Sequence, residues 1–390
     1  MDNSKIPHEQ FEAAKKAAID GDVHALEEFF ATYAYHPQIR NWYDEIYPYP
    51  IKEKNLHEDV RSIIARDNFF NDWSGYEKFK QEMNKENSSV FQFETAADAV
   101  VKGDSITLKH LLKQNPDLIH ARSIRLHHAT LLIYTGANGV EGFRQQTPKN
   151  AVAIAEILLN AGAEVDAIGD MYGGTTTLGL VATSIHPFKT GVQNELIDIL
   201  LEHGADPNFS VAPDYRESRL IVACLANGRH AAAVYLAKKG VALDLEGSAG
   251  IGDLDRVKNY FDDDGSLKKG ATTEQANSGF IWACEYGMID VASFLLGHGI
   301  DIAALTNGMT ALHWAIVGGQ LDTIKLLLER NAPLEIKNSY GGTALGQALW
   351  AAFNEPRPQD LAIIEALIAA GAKIEPDWDK YIDEVRRRQV

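Results

Sequence analysis

A unit of two short helices recurs along the chain, and this repetition limits the possible folds more than any other feature of the sequence. Twelve residues separate the glycine that turns between the two helices from the Gly or Asn that ends the second helix. This distance is found from Gly103 to Asn115, Gly228 to Gly240, Gly287 to Gly299 and Gly319 to Asn331. A constant internal length with changing residues is typical of a repeated supersecondary unit. The sequence therefore predicts a solenoid in which each unit packs against its neighbours.

The clearest copy of the unit covers residues 307–335, NGMTALHWAIVGGQLDTIKLLLERNAPLE. Its apolar spacing predicts one helix over 311–317 and a second helix over 321–330. A pair of glycines turns between the two helices, and Asn331 is expected to end the second helix in a left-handed conformation. The other copies are more or less degenerate versions of this stretch.

The first helix of that copy opens on Thr310-Ala311-Leu312-His313, and the triplet Thr-Ala-Leu returns 33 residues later at 343–345. That spacing is the period of ankyrin repeats, and the stretch resembles one full ankyrin repeat with Ala311 in place of the usual proline. The resemblance implies that His313 and the threonine tie the turn and the adjacent repeats together by hydrogen bonds. The predicted fold is all-α, an ankyrin-repeat solenoid of stacked helix pairs with helical caps at both ends.

The predicted solenoid covers residues 93–374, and the segments that flank it differ in character. Residues 1–92 are expected to form a helical, aromatic-rich N-terminal capping region, and residues 375–390 a C-terminal capping helix. Three stretches break the repeat period and predict insertions near 138–150, 185–191 and 353–360. Insertions in solenoids map to loops and often to the binding face, so these stretches are candidate functional surfaces.

Six Tyr and Trp side chains crowd among prolines between residues 33 and 49. We interpret them as the hydrophobic layer that joins the N-terminal cap to the repeats, and a stacking platform for a ligand or peptide is the alternative. The stretch IIARDNFFNDWSGYEKFK and the block over 129–187 resemble segments of bacterial ankyrin-repeat proteins. This resemblance implies an ankyrin-repeat fold and a bacterial ankyrin-repeat protein. It implies no catalytic residue in this sequence.

The charge of the chain favours some classes of partner over others. It has 37 Lys and Arg against 54 Asp and Glu, a net charge of −17, which disfavours nucleic acid and an anionic membrane surface as partners. No apolar run approaches the ~18 residues of a membrane span, and the first residues lack the apolar core of a secretion signal, so a cytoplasmic location is expected. Metal, phosphate-loop and serine-hydrolase motifs are missing, so neither a metal nor a cofactor is predicted.

One region contradicts this acidic balance. Between residues 121 and 150, three arginines and Lys149 stand against Glu141 alone. If the repeats stack as predicted, polar side chains of 121–191 could converge on a pocket for a small polar or anionic ligand. The other interpretation is that they brace two long loops through hydrogen bonds to backbone groups. The candidate ligand-binding residues are Arg122, Arg125, His127, His128, Arg144, Asp170, Tyr172, Thr176 and His186.

We favour an interaction scaffold that binds a protein partner through its concave face and turn tips. The resemblance implies contacts at the tips of the turns and on the first helices of the repeats. The alternative is a small-molecule-binding protein or an enzyme that uses the locally basic pocket at 121–191, and catalytic activity is left open. The candidate partner-binding residues are Glu285, Tyr286, Thr306, Asn307, Met309, Ser339 and Tyr340.

Overall fold

The computed structural model of the protein describes residues 6–33, 55–209 and 220–388. These residues form helices and contain no β-strand, only isolated bridges at turns. They fall into two compact units, the first within residues 1–213 and the second within 214–390. The predicted all-α fold of stacked helix pairs is confirmed. The predicted aromatic layer at 33–49 lies, beyond Tyr33, outside the described residues.

In the first unit, consecutive helices pack against each other in pairs. The pairs at the N-terminal end lie where the sequence predicts a helical cap. The described α-helices are α1 His8–Asp20, α2 Val23–Tyr33, α3 Leu56–Asp67, α4 Trp73–Met83, α5 Ser89–Lys102, α6 Ser105–Gln114, α7 Ala151–Asn160, α8 Thr177–Thr183, α9 Ile185–Thr190 and α10 Gln193–Glu202. Short 3-10 helices cover Pro116–His120, Ile133–Gly136 and Gly142–Arg144.

The second unit is the more regular of the two and ends in a short helix after its last pair. The predicted helices 311–317 and 321–330 are present, the second of them one residue shorter. The α-helices of this unit are α11 Leu220–Ala226, α12 His230–Lys238, α13 Leu245–Gly250, α14 Leu254–Lys258, α15 Thr273–Glu285, α16 Ile289–Gly297, α17 Ala311–Val317, α18 Leu321–Glu329, α19 Ala344–Asn354, α20 Asp360–Ala369 and α21 Trp378–Arg388.

Threonine starts three successive first helices of the second unit. The hydroxyl oxygens of Thr272, Thr310 and Thr343 accept hydrogen bonds from the backbone N–H three residues later in α15, α17 and α19. Such a cap satisfies one of the free N–H groups of a first helical turn. In α15 the side chain of Gln275 also accepts from the N–H of Thr272, which completes a capping box.

Most of the turn and end positions predicted from the repeat length adopt the left-handed conformation. The four turn glycines have φ between 67° and 74°, and Asn331 at the end of α18 has φ of 57°. Asn115 ends α6 as predicted, but its φ is −135°. Pro116 follows it, and a residue before proline is driven to extended backbone. Pro116 therefore prevents Asn115 from adopting the left-handed conformation that the other helix ends show.

Each unit has its own buried apolar core. In the first unit, one cluster joins α1 to α4 and includes Leu26, Phe30 and Ile63. In the second unit, a continuous cluster runs from α13 to α21 and includes Phe280 and Ile324. The first helices α13, α15, α17 and α19 each contribute small alanine side chains and larger apolar side chains to this cluster. The repeats can therefore stack closely, and burial of apolar surface is the main stabilising term.

The predicted insertions have defined structures. The stretch 138–150 contains the 3-10 helix Gly142–Arg144, and 185–191 is mostly α9. In the third insertion, the guanidinium of Arg357 donates to the carbonyl oxygens of Ile316 and Val317 at 3.0 and 2.7 Å and so caps α17 of the preceding repeat. Helix α5 begins four residues before the expected start of the solenoid, and α21 begins three residues into the expected C-terminal cap.

Candidate functional site

Two of the predicted ligand-binding arginines lie in a buried ion-pair network of the first unit. Arg144 contacts Glu94 Oε2 at 2.6 Å, Glu141 Oε1 at 3.1 Å and Asp98 Oδ1 at 2.6 Å. Arg125 contacts Glu94 Oε2 at 3.2 Å and Glu141 Oε1 at 2.5 Å. Both arginines and both glutamates are buried. The guanidinium groups therefore already have anionic partners inside the protein.

Further contacts surround this network. Arg125 donates to the carbonyl oxygen of Asn68 at 2.6 Å and lies over the ring of Phe79, 4.4 Å from its centroid. His127 is buried, with Nε2 3.6 Å from Glu141 Oε2. Burial acts to raise the pKa of Glu141, but His127 and the two arginines outweigh it and lower this pKa to about 2. Glu141 is therefore ionised at neutral pH, and the network holds the insertion at 138–150 against α5.

The local excess of basic residues is thus balanced in three dimensions by acids from elsewhere in the chain. Glu94 and Asp98 lie one turn apart on α5, outside the 121–150 window in which the sequence is basic. The sequence held a signal for them, because Glu94 interrupts an otherwise apolar face in FQFETAADAVV. Burial of a carboxylate on a helix is energetically costly unless a cation pairs with it.

The exposed members of the predicted ligand set lie on two adjacent turns of the first unit. Arg122 donates to the carbonyl oxygens of His128 at 3.0 Å and Ile168 at 2.6 Å, which fits the bracing interpretation. His128 Nδ1 lies 2.7 Å from Asp170 Oδ2. Tyr172 donates to Asn138 Oδ1 at 2.8 Å. These turns are tied to each other, and their polar groups face outward.

The last two members of the set have local roles. The hydroxyl oxygen of Thr176 accepts from the N–H of Gly179 at 3.3 Å and caps α8. His186 lies in α9, where partial burial and the charge of Lys189 lower its pKa. The structure brings Arg125, His127 and Arg144 together in the interior and His128 with Asp170 at the surface, and it separates Thr176 and His186 from both groups.

The predicted partner-binding residues of the second unit lie on neighbouring turn tips. Thr306 and Met309 close one turn through backbone hydrogen bonds of 2.9 and 3.2 Å, and Asn307 at its tip is exposed with φ of 52°. The N–H of Ser339 donates to the carbonyl oxygen of Gly308 at 2.9 Å, which joins this turn to the next one.

His313 has the structural role that the sequence predicts. Its Nδ1 lies 2.8 Å from the hydroxyl of Thr310, and its Nε2 donates to the carbonyl oxygen of Gly342 in the next repeat at 3.1 Å. Burial lowers the pKa of His313, so the neutral ring is favoured. This buried histidine aligns successive turns and does not face a ligand.

Glu285 and Tyr286 end the first helix of the preceding repeat. The Tyr286 hydroxyl donates to the carbonyl oxygen of Leu225, and its ring stacks on His230 with centroids 4.7 Å apart. Burial raises the pKa of Glu285 to about 7, although the Tyr286 hydroxyl acts to lower it. Tyr286 is therefore partly engaged in packing, whereas Glu285 is a carboxylate held in an unfavourable environment.

The sequence did not predict two exposed apolar residues and one half-buried tryptophan of the same unit. Tyr340, which was predicted, is 87% exposed, and Leu305 and Trp350 are 55% and 53% exposed. Leu305 precedes the turn at 306–309, and Trp350 lies on α19. A third residue, Trp314, is half-buried and donates from its indole to the carbonyl oxygen of Thr306 at 3.1 Å. The sequence signal that could have identified these residues is their distance from the threonine that begins each first helix.

Residues 6–33, 55–209 and 220–388 hold no group of three or more His, Cys, Asp or Glu side chains placed to bind a metal ion. None of the helices in these ranges combines the length and the apolar character needed to cross a membrane.

Comparison with known proteins gives the family of the repeats. The sequence model of the family described as "Ankyrin repeats (3 copies)" matches residues 280–377. Among solved structures, the chain is similar to the crystal structure of the human ASB11 ankyrin repeat domain, with 20% identity, 72% of this chain and 99% of that chain covered, and a TM-score of 0.38. No curated protein matches the sequence significantly. The family match and the helix pairs found there show that residues 280–377 consist of ankyrin repeats.

Proposed function

We propose that this chain is an interaction scaffold that binds a polypeptide partner through the turn tips of its second unit and the exposed sides of its first helices there. Ankyrin repeats as a class serve protein interaction. A solenoid of this kind supplies a rigid surface, and its activity lies in the side chains that the surface carries.

One observation carries the proposal: large apolar side chains are exposed at the turns and on a first helix of two successive repeats. Leu305 directly precedes one turn and Tyr340 lies in the next, the two turns are joined by the hydrogen bond between Ser339 and Gly308, and Trp350 lies on the helix that follows. Single exposed apolar residues are common on protein surfaces. Several of them on adjacent repeats are typical of an interface, where aromatic residues supply most of the binding free energy.

The alternative, a small-molecule-binding protein or enzyme at 121–191, has narrower support. Arg125, Arg144 and His127 are engaged with carboxylates, so they supply no free positive charge to a ligand. The support that remains is the His128–Asp170 pair, in which a carboxylate orients an exposed imidazole whose residue has φ of 44°.

The scaffold is tested by cross-linked co-purification with a tip variant of the full chain, Asn307→Ala/Tyr340→Ala/Trp350→Ala. We expect the wild-type chain to retain defined polypeptides and the tip variant to lose them, because these positions supply exposed contact area. The matched control is Asp322→Ala/Lys325→Ala/Glu329→Ala, three exposed positions on the second helix α18.

The control variant is expected to retain the same polypeptides as the wild-type chain. Circular dichroism establishes that both variants are folded before the comparison. Retention of the same polypeptides by the tip variant would contradict the proposal, and so would their loss from both variants or their absence from the wild-type chain.

A further inference from the structure

The first helices of the second unit carry equivalent positions side by side. Trp282 in α15 and Trp314 in α17 each lie five residues before a turn glycine, Gly287 and Gly319 respectively. The two indole rings are 6.1 Å apart between centroids at an interplanar angle of 60°. The rings pack against each other across two repeats; Trp282 is buried and donates to Glu246 Oε1 at 2.9 Å, whereas Trp314 is half-buried.

A second set of equivalent positions, the 285–350 row, contains Glu285, Val317 and Trp350. Val317 and Trp350 each lie seven residues after a threonine cap, and Glu285 and Val317 each lie two residues before a turn glycine. Helix α17 packs against α15 on one side and α19 on the other. The row therefore crosses three neighbouring helices and places a carboxylate at one end and an exposed indole at the other.

Glu285 lacks a cationic partner. None of the ion pairs in the described part of the chain includes it, and its Oε2 is buried without a hydrogen-bond partner there. The Tyr286 hydroxyl acts to lower the pKa of Glu285, but this group is neutral. A buried carboxylate without a cation is costly, and this cost raises its pKa to about 7. By contrast, the buried Glu94 and Glu141 of the first unit's network each have arginines beside them, whereas the half-buried Glu285 is in none of the ion pairs of the described residues.

Folding of the repeat does not require an acid at this position. The two equivalent positions hold Val317 and Trp350, so the helix stack accepts an apolar side chain there. Natural proteins retain destabilising groups mainly where function uses them. The missing cation therefore points to a positively charged group that arrives from outside the chain.

We propose that Glu285 is the subsite for one Lys or Arg side chain of a polypeptide partner, which lies across the 285–350 row with an apolar side chain against Trp350. The half-buried Trp314 lies on α17 three residues before Val317 of the row, and an indole face attracts a cation. This inference rests on the proposed function, because it names the chemistry of the partner that the second unit binds.

The geometry sets the spacing in the partner. Packed neighbouring helices lie ~8–10 Å apart, so Glu285 and Trp350, two helices apart, are separated by roughly 16–20 Å. An extended segment rises ~3.3 Å per residue, and about five or six residues span that distance. The partner is expected to carry its basic residue about five or six positions from a large apolar residue.

The test uses a phage-displayed library of random 12-residue peptides, selected on the full chain. We expect the selected peptides to share a Lys or Arg about five or six positions from a large apolar residue. Synthetic copies should bind the Glu285→Gln variant about tenfold more weakly or worse, because a charge-assisted hydrogen bond is lost. The matched control, Glu329→Gln, changes an exposed glutamate of α18 and should leave binding unchanged.

The possible outcomes separate this inference from the proposed function. Peptides that bind the second unit without a basic residue, or with equal affinity for Glu285→Gln, overturn the cationic subsite and leave the scaffold standing. If no selected peptide binds the wild-type chain more tightly than the tip variant, the result counts against both the cationic subsite and the scaffold. Equal loss with Glu285→Gln and Glu329→Gln would show a general effect of charge and would also overturn the subsite. Self-association that depends on Glu285 while no peptide binds would assign the subsite to a second copy of the chain and overturn the proposed partner.

Discussion

At the scale of single residues, the closeness of the repeats depends on positions where no side chain fits. Gly318 has an ordinary helical φ of −72°, so its backbone conformation does not require glycine. A Cβ at this position would overlap the carbonyl oxygen of Glu285 in the preceding repeat. Glycine is needed there for the approach of one helix to the next.

The Gly318→Ala substitution should therefore lower the free energy of unfolding by about 1–3 kcal/mol, the range for overpacking a close contact. The measurement is chemical denaturation of the full chain. Gly297→Ala is the matched control, because Gly297 is exposed near the end of α16 with no atom within 4 Å of its Cβ position. Alanine there should be neutral or stabilising by up to about 1 kcal/mol. Equal effects of the two substitutions would show that the close approach at Gly318 does not limit stability.

At the scale of elements, the buried network explains how an irregular insertion is held in a regular stack. The insertion at 138–150 breaks the helical period, yet Arg144 fixes it to α5 through Glu94 and Asp98. Arg357 in the third insertion and Gln193 at the start of α10 act in a related way, because each donates to carbonyl oxygens at the end of a first helix. Long polar side chains thus replace the missing repeat contacts.

Removal of Arg144 tests this role. Arg144→Ala leaves Glu94 and Glu141 buried with fewer cations, and the loss of one partner from a buried ion pair costs about 3–5 kcal/mol. Thermal and urea unfolding of the variant should show this loss. Lys149→Ala, the exposed basic residue of the same insertion, should change stability by less than about 0.5 kcal/mol. A similar small effect of Arg144→Ala would mean that the network does not hold the insertion.

The sequence predicted the elements better than it predicted the surroundings of the candidate site. Local signals, namely the threonine caps, the turn glycines and the 33-residue period, were enough for α17 and α18, because a repeat determines most of its own structure. Besides Glu141, the carboxylate partners of Arg125 and Arg144 come from α5, about 30 to 50 positions earlier in the chain. A charge count over a short window misses such partners, since contacts across repeats depend on the stacking and not on the sequence distance.

At the scale of the whole molecule, the free energy of local unfolding is expected to differ from repeat to repeat. Each helix pair contacts mainly its neighbours, so the contribution of a cap is felt most in the repeat that it covers. In the second unit, α21 packs on α19 and α20 and buries Ile382 and Val385 against them. This helix closes one end of the cluster that starts at α13.

Truncation of the cap's buried side chain should therefore loosen one end of the second unit first. Ile382→Ala removes a buried side chain at a cost of about 2–5 kcal/mol. Hydrogen exchange should become faster in α19, α20 and α21 and stay close to its wild-type rate in α15 and α16. Lys380→Ala, at an exposed position of the same helix, should leave all five helices unchanged. Faster exchange of equal size throughout α11 to α21 would instead show that the second unit opens as one cooperative block, in which no repeat is stabilised separately.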